Sequence, residues 1–457
     1  MKVKIPVHKG EELTGHIEDL TYQGNGVMKV DHYPIFIPEA LPEEKVTVEV
    51  TKVTTNFAWG QVLNWQSKSS DRVADPDQRY LQTGIAPLGH LKYPAQLKFK
   101  QKLIQDLLQK AHLEVDVAPT MGMDKPFQYR NKAQVPVRFI RGQVETGFYK
   151  RGSHELVPIE DFYIQDPVID ETIKIVRDLL RQYHIRAYDE VKQTGDLKSI
   201  MVRRGYYSHQ VMVVLVTRTT KLPHQAELVQ GIVDQVPGIT SIIQNINSKP
   251  TNVVLGRENH TLWGAETIHD QLLGIDFTIS PLSFYQVNPQ QTERLYQTAI
   301  DYAELDGNQT VIDAYCGIGT ISLAVAKHTK KVYGVEIVEA AIQDAKLNAQ
   351  HNQIANAEFV VGKAEEQMAK WQVQGLKPDV LIVDPPRKGL DERVIEAAGQ
   401  MVPQKIVYIS CNPATLVRDL QRFMDQGYQI TKPIQPVDQF PQTTHVESVT
   451  VLERTGK

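Results

Sequence analysis

Val311–Ala326 reads VIDAYCGIGTISLAVA. A short apolar run ends at Asp313, two glycines follow within a tight turn, and apolar residues then recur at helical spacing. Strand, glycine turn and helix form the opening unit of an α/β domain built on a parallel sheet. The glycines are Gly317 and Gly319, with Ser322 where a dinucleotide fold has its third glycine. A second cysteine-free landmark lies twenty residues beyond Cys316, where KVYGVEI ends at Glu336.

Downstream, the runs KVYGVEI, EFVVGK, PDVLIVDPP and KIVYISC alternate with helical patterns, and SVTVLER closes the chain. Continuously apolar short strands between helices predict a sheet covered on both faces, over residues 281–457. Upstream, residues 67–280 mix strands (KAQVPVRF, QVETGFYK, HQVMVVLVT) with helices near Val168–Gln182 and Gln225–Gln235, an α+β pattern. A helix over about Ala95–Ala111 is expected to lie against the C-terminal domain. Residues 1–66 show short alternating runs broken by Gly24-Asn25-Gly26 and by Pro38 and Pro42, which predicts a five-stranded barrel of the OB type. The fold class is therefore multidomain: an all-β OB-like barrel, an α+β middle domain and a Rossmann-like α/β domain.

The chain has 457 residues, 41% hydrophobic and 23% charged, enough for each domain to bury a core. Two cysteines exclude a disulfide framework and any cysteine-built metal cluster. The fourteen histidines form no H-E-x-x-H pattern, so no metal site is expected. The first twenty residues carry no apolar signal segment and no run suits a membrane span, which leads us to expect a cytoplasmic protein. Net charge is −4, yet Lys92–Arg151 holds twelve Lys/Arg against five Asp/Glu. That local excess points to a nucleic-acid partner.

A carboxylate at the tip of the second strand, Glu336, suits the two ribose hydroxyls of an adenosine. Asp384, in LIVDPPRKGL, ends the fourth strand, and Pro385-Pro386 stiffens the edge beside it. Glycine loop, Glu336 and Asp-Pro-Pro together point to S-adenosylmethionine rather than a dinucleotide. Amine methyltransferases tend to carry an aromatic after Pro-Pro; Arg387 follows here.

Cys411 ends the next strand, on the same edge as Asp384. A thiol beside a methyl sulfonium suits one chemistry well: addition to carbon 6 of a uracil, which makes carbon 5 nucleophilic. A base must then remove the carbon-5 proton, and QFPQTTHVESV offers His445 and Glu447. Cys316, inside the glycine turn, reads as a packing residue.

These motifs resemble the RNA uracil-C5 methyltransferases that carry an N-terminal TRAM domain. The resemblance runs through SPLSFYQVNPQQTERLY, DAYCGIGT, YGVEI, VDPPRKG, SCNPATLVRDL and HVESV. It implies Cys411 as nucleophile, Glu447 as base, and Gln286, Tyr315, Glu336 and Asp384 as cofactor contacts beside Gly317 and Gly319. Many members hold a four-cysteine iron–sulfur cluster. Here the matching positions fall near Asp77, Thr83, Ala86 and Phe162, so no cluster is expected. That is similar to the cluster-free 23S ribosomal RNA enzymes, some of which modify more than one uridine, and it implies 5-methyluridine formation in 23S ribosomal RNA by a monomer. Transfer RNA methylation and a non-catalytic assembly factor are the alternatives. Arg130, Lys132, Arg138, Arg141, Lys150 and Arg151 are the expected phosphate contacts, and Phe127, Tyr129, Phe148 and Tyr149 the aromatics interleaved with them.

Overall fold

The computed structural model describes residues 5–250 and 253–455; the outer ends of the first and last expected regions, residues 1–4 and 456–457, lie outside them. Three large sheets and one two-stranded sheet organise the described residues. The first has six strands, one more than expected, in the order Glu12–His16, Lys45–Val53, Ala58–Ser67, Tyr33–Ile37, Gly26–Val30, Asp19–Leu20. It wraps a small core of Ile17, Met28, Ile35, Ile37, Val46, Val48 and Val50. Alternation explains this: in Lys45–Val50 the buried residues are Val46, Val48 and Val50, one face of a strand.

The middle sheet has seven strands, running Glu258–Gly264, Ile239–Ile246, Val211–Thr217, Leu197–Arg204, Lys132–Ile140, Gln143–Tyr149, Leu156–Pro158. Every residue of Val211–Thr217 is buried, because both faces of the sheet are covered. On one face lie the helices Pro167–Gln182 and Gln225–Gln235, with Ile200, Val202, Val213 and Leu215 beneath them. On the other face Met201, Met212, Val214 and Val216 join the core of the C-terminal domain.

The C-terminal sheet runs Ala357–Val361, Lys331–Glu336, Thr310–Asp313, Val380–Val383, Lys405–Ser410, Glu447–Arg454, Tyr428–Ile430, with Gln435–Val437 paired to Glu447–Arg454. The first five are parallel and Glu447–Arg454 is antiparallel to its neighbour Lys405–Ser410. Successive residues divide between two cores: Val380, Ile382, Val407 and Ile409 face one, and Leu381, Val383, Ile406 and Tyr408 the other. That is why these strands read as unbroken apolar runs. The strand order reverses beside Thr310–Asp313, where open α/β sheets bind ligands at their carboxyl edge.

Two segments from outside 281–457 join these cores. The hairpin Ile268–Leu272/Ile275–Ile279 buries Ile268, Leu272, Ile275, Phe277 and Ile279 in the first. The helix Tyr93–Lys110 buries Ile104 and Leu108 in the second, with Leu416, Leu420 and Phe423 of the helix Pro413–Asp425. Truncating either leucine-sized side chain to alanine would cost about 2–5 kcal/mol. Asp77 caps the short helix Gln78–Thr83, while Ala86 and Phe162 are buried in the middle core, Phe162 edge-on to Phe148.

Candidate active site

The turn after Thr310–Asp313 is shaped by its glycines. Gly317 has φ +53° and Gly319 φ +85°, a region that side-chain-bearing residues avoid. A Cβ on Gly319 would press on Phe359 at 3.2 Å, whereas one on Gly317 would meet nothing within 4 Å. Gly317 thus borders open space, with backbone free to approach a ligand. Ser322 donates to buried Asp313 at 2.5 Å, so the residue in the third-glycine position braces the turn from below. Cys316 is 2% exposed and packs in the core, as a structural residue does.

Around this turn the sheet edge gathers three further groups. Glu336 ends Lys331–Glu336 and accepts from the Val338 amide at 2.9 Å; beyond it Ile337 and Val338 expose apolar side chains. Asp384 follows Val380–Val383, and burial together with the Asp313 charge pushes it up to about 7. The Tyr296 hydroxyl, on the helix Pro289–Ala303, faces Asp384 and Gln286 and lies 3.4 Å from Thr320 Oγ1. Gln286, Gly317, Gly319, Glu336 and Asp384 therefore border one edge. Tyr315 packs its ring against the opposite core, and its hydroxyl feels the charges of Glu365, Asp391, Asp419 and Glu336. A half-buried, unpaired carboxylate, a second carboxylate at the tip of the neighbouring strand, exposed apolar groups and an open glycine suit an adenosine carrying a positive charge.

Cys411 stands between the strand Lys405–Ser410 and Asn412, the cap of the helix Pro413–Asp425. The strand pairing decides its partner. Lys405 lies opposite Glu453 and Ser410 opposite Ser448; the paired run ends there, one residue short of Cys411 and of Glu447, and the Glu447 charge acts on the Cys411 thiol. Glu447 is 7% exposed, and burial with the Asp384 charge raises it well above the usual carboxylate range, against the pull of Arg387. Burial, then Glu447 and Asp384, push the Cys411 thiol up to about 12; Arg387 is the opposing cation.

Arg387 follows Pro385-Pro386, and its carbonyl accepts from Asn412 Nδ2 at 2.8 Å, tying that loop to the cysteine turn. Its guanidinium donates to His445 Nε2 at 3.3 Å. Burial first, then Arg387 and Lys100, lower His445 to about 4, so at neutral pH the imidazole is uncharged and its Nε2 lone pair is engaged. Arg418 donates to the carbonyls of Lys388 and Leu390 and to Asp419, holding the Pro-Pro loop from behind.

The loop leading to Glu447 is pinned by the helix Tyr93–Lys110. Lys100 bonds Asp438, both side chains fully buried, and donates to Phe440 O at 3.0 Å. Tyr93 donates to Asp438 at 2.8 Å, and Gln96 exchanges hydrogen bonds with Gln442. Tyr129, one of the aromatics interleaved with the basic strip, is buried and donates to Pro441 O at 3.0 Å. Lys100 and Asp438 escaped sequence reasoning; the available signal was a lysine on the buried row Gln96, Lys100, Ile104, Leu108.

The expected phosphate contacts separate into two groups. Arg138 is paired with Glu190 and donates to two backbone carbonyls, and Lys150 is paired with Glu155 at 2.5 Å. Each therefore has a carboxylate partner within the protein, Lys150 in an exposed pair. Arg141, at an exposed hairpin tip, and Arg151 remain accessible. Arg130 and Lys132 flank Asn131, whose side chain donates to Gln286 O at 3.1 Å and whose amide donates to Val287 O. Phe148 and Tyr149 pack on Phe162 and Arg138, while Phe127 and Phe284 stay exposed.

Comparison with known proteins gives three results. A family model described as tRNA (uracil-5-)-methyltransferase matches residues 265–455, and a TRAM domain model matches residues 6–63. An uncharacterized RNA methyltransferase of Lactiplantibacillus plantarum is 63% identical over 99% of this chain and 100% of its own; one from Enterococcus faecalis is 50% identical over 98% of each. The crystal structure of Pyrococcus abyssi tRNA (uracil-54, C5)-methyltransferase with S-adenosyl-L-homocysteine aligns with a TM-score of 0.78 and 28% identity, covering 96% of this chain and 99% of that one.

Proposed function

Because the chain belongs to the S-adenosylmethionine-dependent RNA uracil-5-methyltransferases, we propose that it makes 5-methyluridine in 23S ribosomal RNA through a covalent Cys411–carbon 6 adduct. The observation that supports the chemistry is the closeness of Glu447 and Cys411, each next to the last pair, Ser410 with Ser448, of two adjacent strands. Cys411 adds to carbon 6 as a thiolate, forming a carbon–sulfur bond and leaving carbon 5 electron-rich. S-adenosylmethionine, when bound, supplies an electrophilic methyl group. After carbon 5 is methylated, Glu447 as carboxylate takes the carbon-5 proton, the ring double bond reforms and the thiolate leaves. Arg387 is the cation that favours the thiolate, aided by the positive end of the helix after Asn412. His445, uncharged and held by Arg387, is a poorer base than Glu447. Gln286, Tyr315, Gly317, Gly319, Glu336 and Asp384 would hold the cofactor.

The ribosomal target rests on the sequence resemblance alone, in which Asp77, Thr83, Ala86 and Phe162 stand where many members have cluster cysteines. The N-terminal barrel does not discriminate, since the Pyrococcus transfer RNA enzyme aligns over 96% of this chain. That likeness favours transfer RNA as the second reading. Mass spectrometry of both RNA pools, from cells with and without the protein, separates them: loss of 5-methyluridine from transfer RNA alone rejects the ribosomal target. For the chemistry, Glu447→Gln incubated with cofactor and RNA should accumulate an adduct stable on denaturing gels, and Cys411→Ala should form none. Turnover retained by Cys411→Ala would reject covalent catalysis.

A further inference from the structure

In the middle sheet Lys132 lies directly opposite Arg203 across an antiparallel pair. Like charges in that position repel, and no acid relieves them. The groups facing Lys132 are Arg203 and Arg130, both cationic. Among the described residues none of the three has a carboxylate within 4 Å, although Arg138 further along the same strand has Glu190. This is not a solvated basic face. Lys132 and Arg203 share their face with Met201, Met212 and Val214, which are buried against the C-terminal domain. Arg203 is 2% exposed; it donates to Ser283 O at 2.9 Å and lies 3.5 Å from Ser280 O, while its Nε has no partner. Burial and the two neighbouring arginines lower Lys132 to about 8.

The cluster is tied to the Ser283–Val287 segment. Ser283 leads through exposed Phe284 to Gln286, and Asn131, between Arg130 and Lys132, holds the Gln286 and Val287 carbonyls. A nucleotide drawn out of its stack toward Cys411 brings its flanking phosphates into this cleft. We propose that Lys132, with Arg203 and Arg130, forms a built anion site that grips an RNA backbone phosphate next to the target uridine. This rests on the RNA-methylating function proposed above. The desolvated cations gain a counter-charge only when the RNA is seated, so binding there couples RNA docking to the position of the Gln286 segment through the Arg203–Ser283 bond. The same chemistry could come from the amino-acid carboxylate of the cofactor, and the experiment separates the two.

The test compares wild type with Lys132→Gln and Lys132→Arg, using whichever RNA the wild type methylates, a 23S transcript or transfer RNA. Failure of the ribosomal target therefore shows in the wild-type lanes and not in this comparison. Filter binding across a salt series should show Lys132→Gln weakened about tenfold, the loss of one charge-assisted contact. Its slope of log affinity against log salt should be shallower by about 0.7, one phosphate on a single strand. Lys132→Arg should recover most of the affinity. S-adenosylhomocysteine binding by calorimetry should be unchanged, and the RNA-free melting temperature of Lys132→Gln should not fall, since repulsion has been removed. Unchanged RNA affinity and slope in Lys132→Gln would overturn the proposal. So would weakened S-adenosylhomocysteine binding with an unchanged RNA slope, which would make the carboxylate the anion.

Discussion

Lys100→Met tests whether the helix Tyr93–Lys110 positions Glu447. Methionine keeps nearly the same volume but removes the ammonium. Asp438, fully buried, then keeps the Tyr93 hydroxyl at 2.8 Å, and Phe440 O keeps the amide and hydroxyl of Thr443 but loses the ammonium. Breaking a buried ion pair from one side costs about 3–5 kcal/mol. Asp438 limits the loss by taking up a proton, so a net cost of about 4 kcal/mol is expected. For a unit the size of the C-terminal domain that lowers Tm by about 8–16 °C. The functional consequence is selective. The loop from Asp438 to His445 leads directly into Glu447, so single-turnover methyl transfer should fall about tenfold or more, equivalent to about 1.4 kcal/mol in the barrier. S-adenosylhomocysteine affinity should stay within a few-fold. Lys100→Met with Asp438→Asn removes both charges and leaves Tyr93 an acceptor, and should regain at least half of the lost stability. Differential scanning calorimetry and single-turnover assays measure both arms. A single variant melting within about 2 °C of wild type, or a double variant no more stable than the single, would refute the reasoning.

Arg387→Met should reduce methyl transfer most strongly near neutral pH. With the thiol raised to about 12 and Glu447 raised well above its usual range, both must lose protons to act. Log kcat/KM in the wild type should therefore rise with pH across 7–9, through the field of Asp384, Arg387 and uncharged His445; without Arg387 the profile should move to higher pH, and an unmoved profile would remove Arg387 from the electrostatics. S-adenosylmethionine binding should release protons at pH 7, because a nearby positive charge favours the ionised forms of Asp384, at about 7, and Glu447. Calorimetry in buffers of different ionisation enthalpy reads this release, which should be smaller for the uncharged sulfur of S-adenosylhomocysteine; equal enthalpies in all buffers would contradict it.

The α/β strands, the glycine turn, Glu336, Asp384 and Cys411 were legible because their signals are local. A strand covered on both faces is apolar at every position, and a ligand-bearing carboxylate sits at its end. Leu197–Arg204 was not legible as a strand: LKSIMVRR interrupts its apolar residues with charges that only the assembled cleft explains. The hairpin at Ile268–Ile279 was equally hidden, since its alternation does not say which sheet it will cover.

By itself the sequence determined the kind of chemistry, because thiol, carboxylates and glycine turn are properties of residue type and short spacing. Tertiary structure alone decided which of them meet. Antiparallel pairing between distant strands, ending at Ser410 with Ser448, brought the Glu447 charge to bear on Cys411. The same long-range pairing neutralised Arg138 and Lys150 with carboxylates and left Lys132 facing Arg203. A count of charges along a chain sums them; only the fold assigns each one its neighbour, and the Coulomb energy depends on that distance.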